Sequence, residues 1–148
     1  MKPAAVLLLV DDDEAFRKVL ARELSRLGHD VATAGSGDEA LRGVAEREPE
    51  VVLLDLRLPD RDGLEVLEAI HAASPGTDVI MLTGHGSIDT AIQSVRMGAF
   101  DYVAKPCPLD ELEVRIQRAL ERQSLRRRAS LLERGLIPPD VAGSFPFV

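Results

Sequence analysis

The sequence predicts an α/β fold: a doubly wound, five-stranded parallel sheet of order 2-1-3-4-5, with an extended C-terminal helix. Two observations carry this. Short runs rich in Val and Leu alternate five times with segments whose apolar residues recur at helical spacing, which is the pattern of repeated βα units. The first and third runs, centred on Val6-Leu7-Leu8-Leu9-Val10 and Val51-Val52-Leu53-Leu54, are apolar throughout, as strands covered by helices on both faces must be. At 148 residues the chain suits one compact domain with a remainder.

The strands are expected at Ala5 to Val10, Asp30 to Ala34, Glu50 to Leu54, Asp78 to Leu82 and Asp101 to Ala104. Between them, Phe16, Val19, Leu20, Leu24 and Leu27 share one face of a first helix, which Gly28 stops. Ala40, Leu41, Val44 and Ala45 do the same for a second helix, begun near Ser36 and ended before Pro49. Leu64, Leu67 and Ile70 serve the third, and Ile88, Ala91, Ile92 and Val95 the fourth, closed by Gly98. The fifth starts after Pro108, with Leu109, Leu112, Ile116 and Leu120 inward. It has no evident stop, because Glu121 to Arg134 contains no Gly or Pro and is rich in helix formers. Leu125, Ala129, Leu132 and Leu136 continue an apolar stripe in a shifted frame, so a short dimeric coiled coil and a single solvated helix both stand open. From Gly135 onward, Pro138, Pro139, Gly143 and Pro146 read as a linker.

Composition narrows the function classes. Aromatic residues make up 3% of the chain, leaving an aliphatic core. Ala4 to Val10 is too short to span a bilayer and is followed by three aspartates instead of a small-residue cleavage site. With a single cysteine, Cys107, no internal disulfide forms, and a cytoplasmic protein is expected. The net charge of −7 is uneven, since Arg118 to Arg134 holds six arginines against Glu121 and Glu133. An acidic body argues against nucleic-acid binding, and the basic stretch reads as a solvated helix face.

Asp55 is the most informative residue, because it ends the third apolar run. Asp11, Asp12 and Asp13 end the first, while Thr83-Gly84 and Lys105-Pro106 close the fourth and fifth. Ligands of an open doubly wound sheet sit beyond the carboxyl ends of the strands where winding reverses, and for order 2-1-3-4-5 that is between strands one and three. Carboxylates within ~4–6 Å repel and raise one another's pKa, and a divalent cation relieves this. Oxygen ligands with no Cys or His cluster suit Mg²⁺. Such a site accepts a phosphoryl group: Asp55 supplies the nucleophile, Mg²⁺ and Lys105 positive charge, and Thr83 a hydroxyl donor.

On these residues the chain resembles, over about residues 4 to 122, the receiver domain of a bacterial two-component response regulator, which is flavodoxin-like and CheY-like in fold. The resemblance implies that a sensor histidine kinase phosphorylates Asp55, in a phosphoacceptor regulatory domain that is not an enzyme but catalyses its own phosphorylation and dephosphorylation. It implies Asp12 as a direct metal ligand, Asp11 acting largely through metal-bound water, the Arg57 backbone carbonyl completing the set, and Asp13 outside it. Lys105 would bridge to the phosphoryl group, ahead of a cis Pro106. Thr83 and Tyr102 match the pair of switch residues that move inward, altering the face of helix four, strand five and helix five. Arg57 and His85, each two residues beyond Asp55 and Thr83, fall where the family tunes dephosphorylation, and their bulk is expected to shield the acyl phosphate. Cys107 departs from the pattern, standing where an aromatic commonly follows Lys-Pro, and reads as a small packed hydrophobe.

His85-Gly86-Ser87-Ile88, Gly98-Ala99-Phe100-Asp101-Tyr102, the long last helix and the ending Gly143-Ser144-Phe145-Pro146-Phe147-Val148 resemble sigma-54-dependent activators of the nitrogen-regulator type. That implies a receiver domain over 1–122, a helical linker over 123–134 and a flexible tail over 135–148 leading to an AAA+ effector domain absent from the chain. It further implies a homodimer through helix four, strand five and helix five or through the linker helix. Rival readings fit less well. A haloacid-dehalogenase-type hydrolase needs a second acid where Arg57 stands, and a flavin carrier has no Trp and one Tyr to work with. A degenerate, non-phosphorylated docking module, the runner-up, normally lacks one of the key residues.

Overall fold

The computed structural model describes residues 4–137. Ten elements alternate: β1 (Val6–Val10), α1 (Glu14–Arg26), β2 (Asp30–Ala34), α2 (Gly37–Arg47), β3 (Val51–Leu54), α3 (Gly63–Ala73), β4 (Asp78–Thr83), α4 (Ile88–Arg96), β5 (Asp101–Ala104) and α5 (Leu109–Glu133). All neighbouring strands are parallel and the order is β2-β1-β3-β4-β5, as the sequence predicts. The expected bounds are off by one residue at Ala5, Glu50 and Thr83.

The period of two along each strand sorts the core into two layers. Leu8, Val10, Val52, Leu54 and Met81 face α2 and α3, where Ala40, Val44, Val66, Leu67 and Ile70 meet them. Leu7, Leu9, Leu53, Ile80 and Leu82 face the other way, onto Leu24 of α1 and Leu112, Ile116 and Ala119 of α5. Each fully buried Leu or Ile contributes about 1.5–3 kcal/mol relative to exposure. Helix ends follow local chemistry. Asp13, Ser36, Asp62 and Ser87 accept first-turn N–H groups, and Gly28 and Gly98, at φ of 100° and 105°, turn the chain out of α1 and α4.

Two stripes depart from expectation. In α1, Leu24 is buried and Phe16 and Leu20 are partly so, but Val19 and Leu27 are exposed. In α4 the reversal is larger. Ile88, Ile92 and Val95 stand 80%, 48% and 58% exposed, while Ser94 is fully buried. Ser94 bonds its hydroxyl back to the Ala91 carbonyl, 2.8 Å away, so the helix's small side meets the sheet. Helical spacing groups Ile88, Ile92 and Val95 on one face, yet periodicity cannot say whether the sheet or another body covers it.

α5 runs 25 residues, and its second half is fastened to the sheet's N-terminal edge. Asp78, which opens β4, accepts from Arg122 Nη2 at 2.6 Å, Gln123 Nε2 at 2.9 Å and Arg126 Nη2 at 3.3 Å. Gln123 Nε2 also donates to the Glu50 carbonyl at 2.7 Å, and the Arg122 guanidinium lies 4.4 Å from the Phe100 ring centroid. Higher up, buried His29 bridges the Ala5 N–H, at Nδ1, to Glu113 Oε1, 2.7 Å from Nε2. Beyond Glu133 the helix closes at Gly135. The tail is described only to Ile137, and Gly143 to Val148, on which the finer resemblance leaned, lies outside the described residues.

Candidate phosphoryl and cation site

Strand register assembles the site. Val10 pairs with Leu54, and the next residues, Asp11 and Asp55, leave neighbouring strands side by side; the Asp55 N–H donates to the Val10 carbonyl at 3.1 Å. Thr83 pairs with Ala104, which sets Lys105 beside them, its N–H donating to the Thr83 carbonyl at 2.9 Å. The Lys105–Pro106 peptide bond is cis.

Ligand oxygens of Asp11, Asp12 and Asp55 all lie within 4.8 Å of one another. Asp11 and Asp55 are buried and Asp12 is exposed. Lys105 Nζ bonds Asp11 Oδ2 at 2.5 Å and lies 3.6 Å from Asp55 Oδ2. Asp11 Oδ1 accepts the Asp13 N–H at 2.9 Å. Burial pushes the Asp11 carboxyl above its usual range, against the pull of Lys105 and the Asp13 N–H and with a further push from Asp55. Asp13 itself caps α1, accepting the Phe16 N–H at 3.1 Å, and is not among the three clustered acids.

Asp55 Oδ1 is buried and has no hydrogen-bond partner among the described residues. A buried carboxylate oxygen left this way costs free energy unless a cation or donor faces it. The donor set, all carboxylate oxygen with one acid open to solvent, fits a hard divalent cation that keeps part of its water shell. Thr83, 1% exposed, directs its hydroxyl oxygen to the His85 N–H at 3.1 Å. Arg57 and His85 are both exposed and line one cleft with Leu58, Leu64 and Thr90. Tyr102 is partly buried on the α2/α3 side of the sheet, its hydroxyl 3.4 Å from Thr90 Oγ1. Cys107 is half-buried against the α5 layer, and burial raises its thiol pKa, which agrees with packing and not with a reactive thiolate.

Three supporting residues escaped the sequence reading. Phe16, taken only as helix core, holds its ring 4.0 Å from Lys105 Nζ, steadying the ammonium between an aromatic face and two carboxylates. Arg17 donates to the Asp11 carbonyl at 2.7 Å. Gly63 leaves no room for a side chain, because a Cβ there would lie 2.3 Å from the Asp55 carbonyl and 2.6 Å from Leu56 Cα. Only glycine lets α3 begin this close to the Asp55 backbone. The one available signal was position: Phe16 and Arg17 lie within a helical turn of the acids.

A five-stranded parallel sheet with three acids and a lysine gathered at its reversal point is the architecture of a phosphoacceptor regulatory domain. The model of the response regulator receiver domain matches residues 7–117, and the chain belongs to that family. Among curated proteins it is 38% identical to the regulatory protein AtoC of Escherichia coli over 130 residues, 88% of this chain and 28% of that one. It is 34% identical to the DNA-binding transcriptional regulator NtrC of Salmonella typhimurium, covering 95% of this chain and 30% of that one. The crystal structure of NtrX from Brucella abortus superposes with a TM-score of 0.83 at 40% identity, over 88% of this chain and 30% of that one. The chain thus spans less than a third of these relatives, which bear out the likeness to nitrogen-regulator-type proteins.

Proposed function

We propose that this chain takes a phosphoryl group onto Asp55 from the phosphohistidine of a sensor kinase and passes the signal to an effector domain outside it. The observation that carries this is the buried Asp55 carboxylate, one oxygen unpartnered and the other facing Lys105, within reach of Asp11 and Asp12. Asp11, Asp12, Asp55 and the Arg57 backbone carbonyl would hold Mg²⁺, which supplies neutralising charge to phosphoryl oxygens when bound. Asp55 attacks phosphorus, the bond from phosphorus to the donor breaks, and the donor leaves with its electron pair. Lys105 stays paired with the acids before transfer and offers its charge to the new phosphoryl oxygens after it. The domain promotes its own phosphorylation from small donors and its own dephosphorylation, with Arg57 and His85 screening the acyl phosphate from water.

Thr83 turns its hydroxyl toward the phosphoryl group and Tyr102 answers the space released, changing the face that α4, β5 and α5 present. That face already exposes Ile88, Ile92 and Val95. Leu125 and Leu132 are exposed on the linker half of α5, on the stripe they share with Ala129, while Leu136, expected on the same stripe, is exposed just past the helix end because Gly135 turns the chain out of α5 first. Both surfaces suit a homodimer whose arrangement controls an AAA+ sigma-54 activator domain, with residues 1–122 as receiver, 123–134 as linker and 135–148 as tail. Among the described residues no helix is long and apolar enough to cross a membrane, which agrees with a cytoplasmic setting.

The test is intact mass after incubation with Mg²⁺ and acetyl phosphate, with a known receiver reacting alongside. One phosphoryl adduct is expected in wild type and none without Mg²⁺ or in Asp55→Asn. No wild-type adduct from either acetyl phosphate or a phosphorylated sensor kinase would leave a docking module as the better reading.

A further inference from the structure

The hydroxyl of Tyr102 occupies the space that a side chain at residue 86 would need. A Cβ on Gly86 would stand 1.2 Å from Tyr102 Oη and 2.5 Å from Cζ. Two carbon-sized atoms attract best near ~3.5–4 Å, so no local adjustment of a few tenths of an ångström accommodates such a pair. Gly86 has no positive φ, unlike Gly28, Gly98 and Gly135. What the site uses is therefore the missing side chain, not the conformational freedom of glycine.

The surroundings decide which partner yields. Just after Gly86, Ser87 and Thr90 form a reciprocal cap: the Ser87 N–H donates to Thr90 Oγ1 at 2.8 Å and the Thr90 N–H to Ser87 Oγ at 3.2 Å. Just before it, the His85 N–H is tied to Thr83 Oγ1. The loop is held on both sides, whereas the phenol is the far end of a side chain with two rotatable bonds and one weak partner, Thr90 Oγ1 at 3.4 Å. A cavity of 270 Å³ lies beside the ring, lined by Thr83, Gly84, Gly86, Ala91 and Ala104 among others. One short path, Thr83 to His85 to Gly86 to Tyr102, joins the hydroxyl beside the phosphoacceptor to the ring under α4.

We infer that Gly86 is the positioning residue for Tyr102: its bare Cα forms the seat of the phenol, and any side chain there turns the ring out and uncouples Thr83 from α4. This rests on the reading of Thr83 and Tyr102 as the switch. The chain has one Tyr and no Trp, so intrinsic emission reports this ring alone. In Gly86→Ala without phosphate, the acrylamide quenching constant is expected to rise roughly twofold as the ring leaves its rotamer well; equal constants overturn the seat. With acetyl phosphate and Mg²⁺, wild-type emission or quenching shifts while Gly86→Ala stays put, and the same shift in both overturns the coupling. Amide exchange from Asp89 to Val95 should rise on Gly86→Ala in wild type and stay unchanged by it in a Tyr102→Ala background; the same rise in both would mean that Gly86 acts without the ring. Missing phosphorylation of wild-type Asp55 would sink the proposed function, yet the phosphate-free quenching comparison would still decide the seat.

Discussion

Asp55 and Asp78 are buried aspartates on neighbouring strands, 2% and 3% exposed, one just past the carboxyl end of β3 and the other at the amino end of β4. Asp78 is saturated, with two guanidinium groups and an amide converging on its oxygens. Among the described residues, Asp55 keeps one oxygen without a partner and shares Lys105, the one cation that pairs with it, with Asp11. The same side chain is thus a fastening at one edge of the sheet and, on the function proposed above, the phosphoacceptor at the other. What separates them is satisfaction and not burial: a completed carboxylate gains nothing from a new ligand, whereas an incomplete one gains whenever a cation or phosphoryl group arrives. Electrostatic incompleteness at the carboxyl ends is affordable because the two aliphatic layers and the Asp78 clamp hold the frame.

Several changes would break or sharpen this contrast. The largest is Asp55→Asn, which should abolish the phosphoryl adduct by intact mass while leaving the urea midpoint near or above wild type. Asp78→Ala should do the reverse. It removes charge-assisted hydrogen bonds worth about 1.5–3 kcal/mol each in favourable settings, though Arg122 and Arg126 can rehydrate, so a net loss of ~2–3 kcal/mol in urea unfolding is expected. Amide protection should fall first from Glu121 to Glu133, with the adduct retained.

Cation binding comes next in size. Mg²⁺ at about one hundred times its Kd should add ~2.7 kcal/mol to wild type and far less to Asp11→Asn, read as a shift in thermal midpoint. Without the cation the sign inverts. The native Asp11 pKa is raised, so the folded state binds protons more readily than the unfolded chain, and this group's contribution falls as pH climbs from about 3.8 through the native value. At neutral pH Asp11→Asn should therefore stabilise the cation-free protein, and a lower midpoint than wild type would contradict the charge balance drawn for the site. Kinetically, an Arg57→Ala, His85→Ala double variant should lose phosphate faster than wild type, and a slower loss would refute shielding. The smallest expected effect is Ile92→Asp, within about 0.5 kcal/mol in stability because the residue is exposed. The same change should weaken phosphorylation-dependent association in sedimentation.

The likeness of β1 and β3 to fully covered strands was legible because periodicity and apolar run length are local properties of the chain. So were the caps at Ser36 and Gly98 and the persistence of α5 to Glu133. The acids, Thr83 and Lys105 were also legible, since each follows an apolar run that a parallel sheet must align. Three things were not. Ile88, Ile92 and Val95 of α4 carry the same spacing as a core helix, and only packing shows that Ser94 faces inward instead. Asp78, read as a strand boundary, became a clamp because α5 crosses the sheet and delivers Arg122, Gln123 and Arg126 from more than forty positions away. Nothing local in the sequence marks Gly86 and Gly63 as empty space required by another part of the chain, the Tyr102 hydroxyl or the Asp55 carbonyl. By itself the sequence determined which residues sit at strand ends, because alternation and chain direction leave little choice. Tertiary structure alone decided which carboxylate is satisfied, which apolar face is left open and which missing side chain is filled, because these depend on what arrives from elsewhere in the chain.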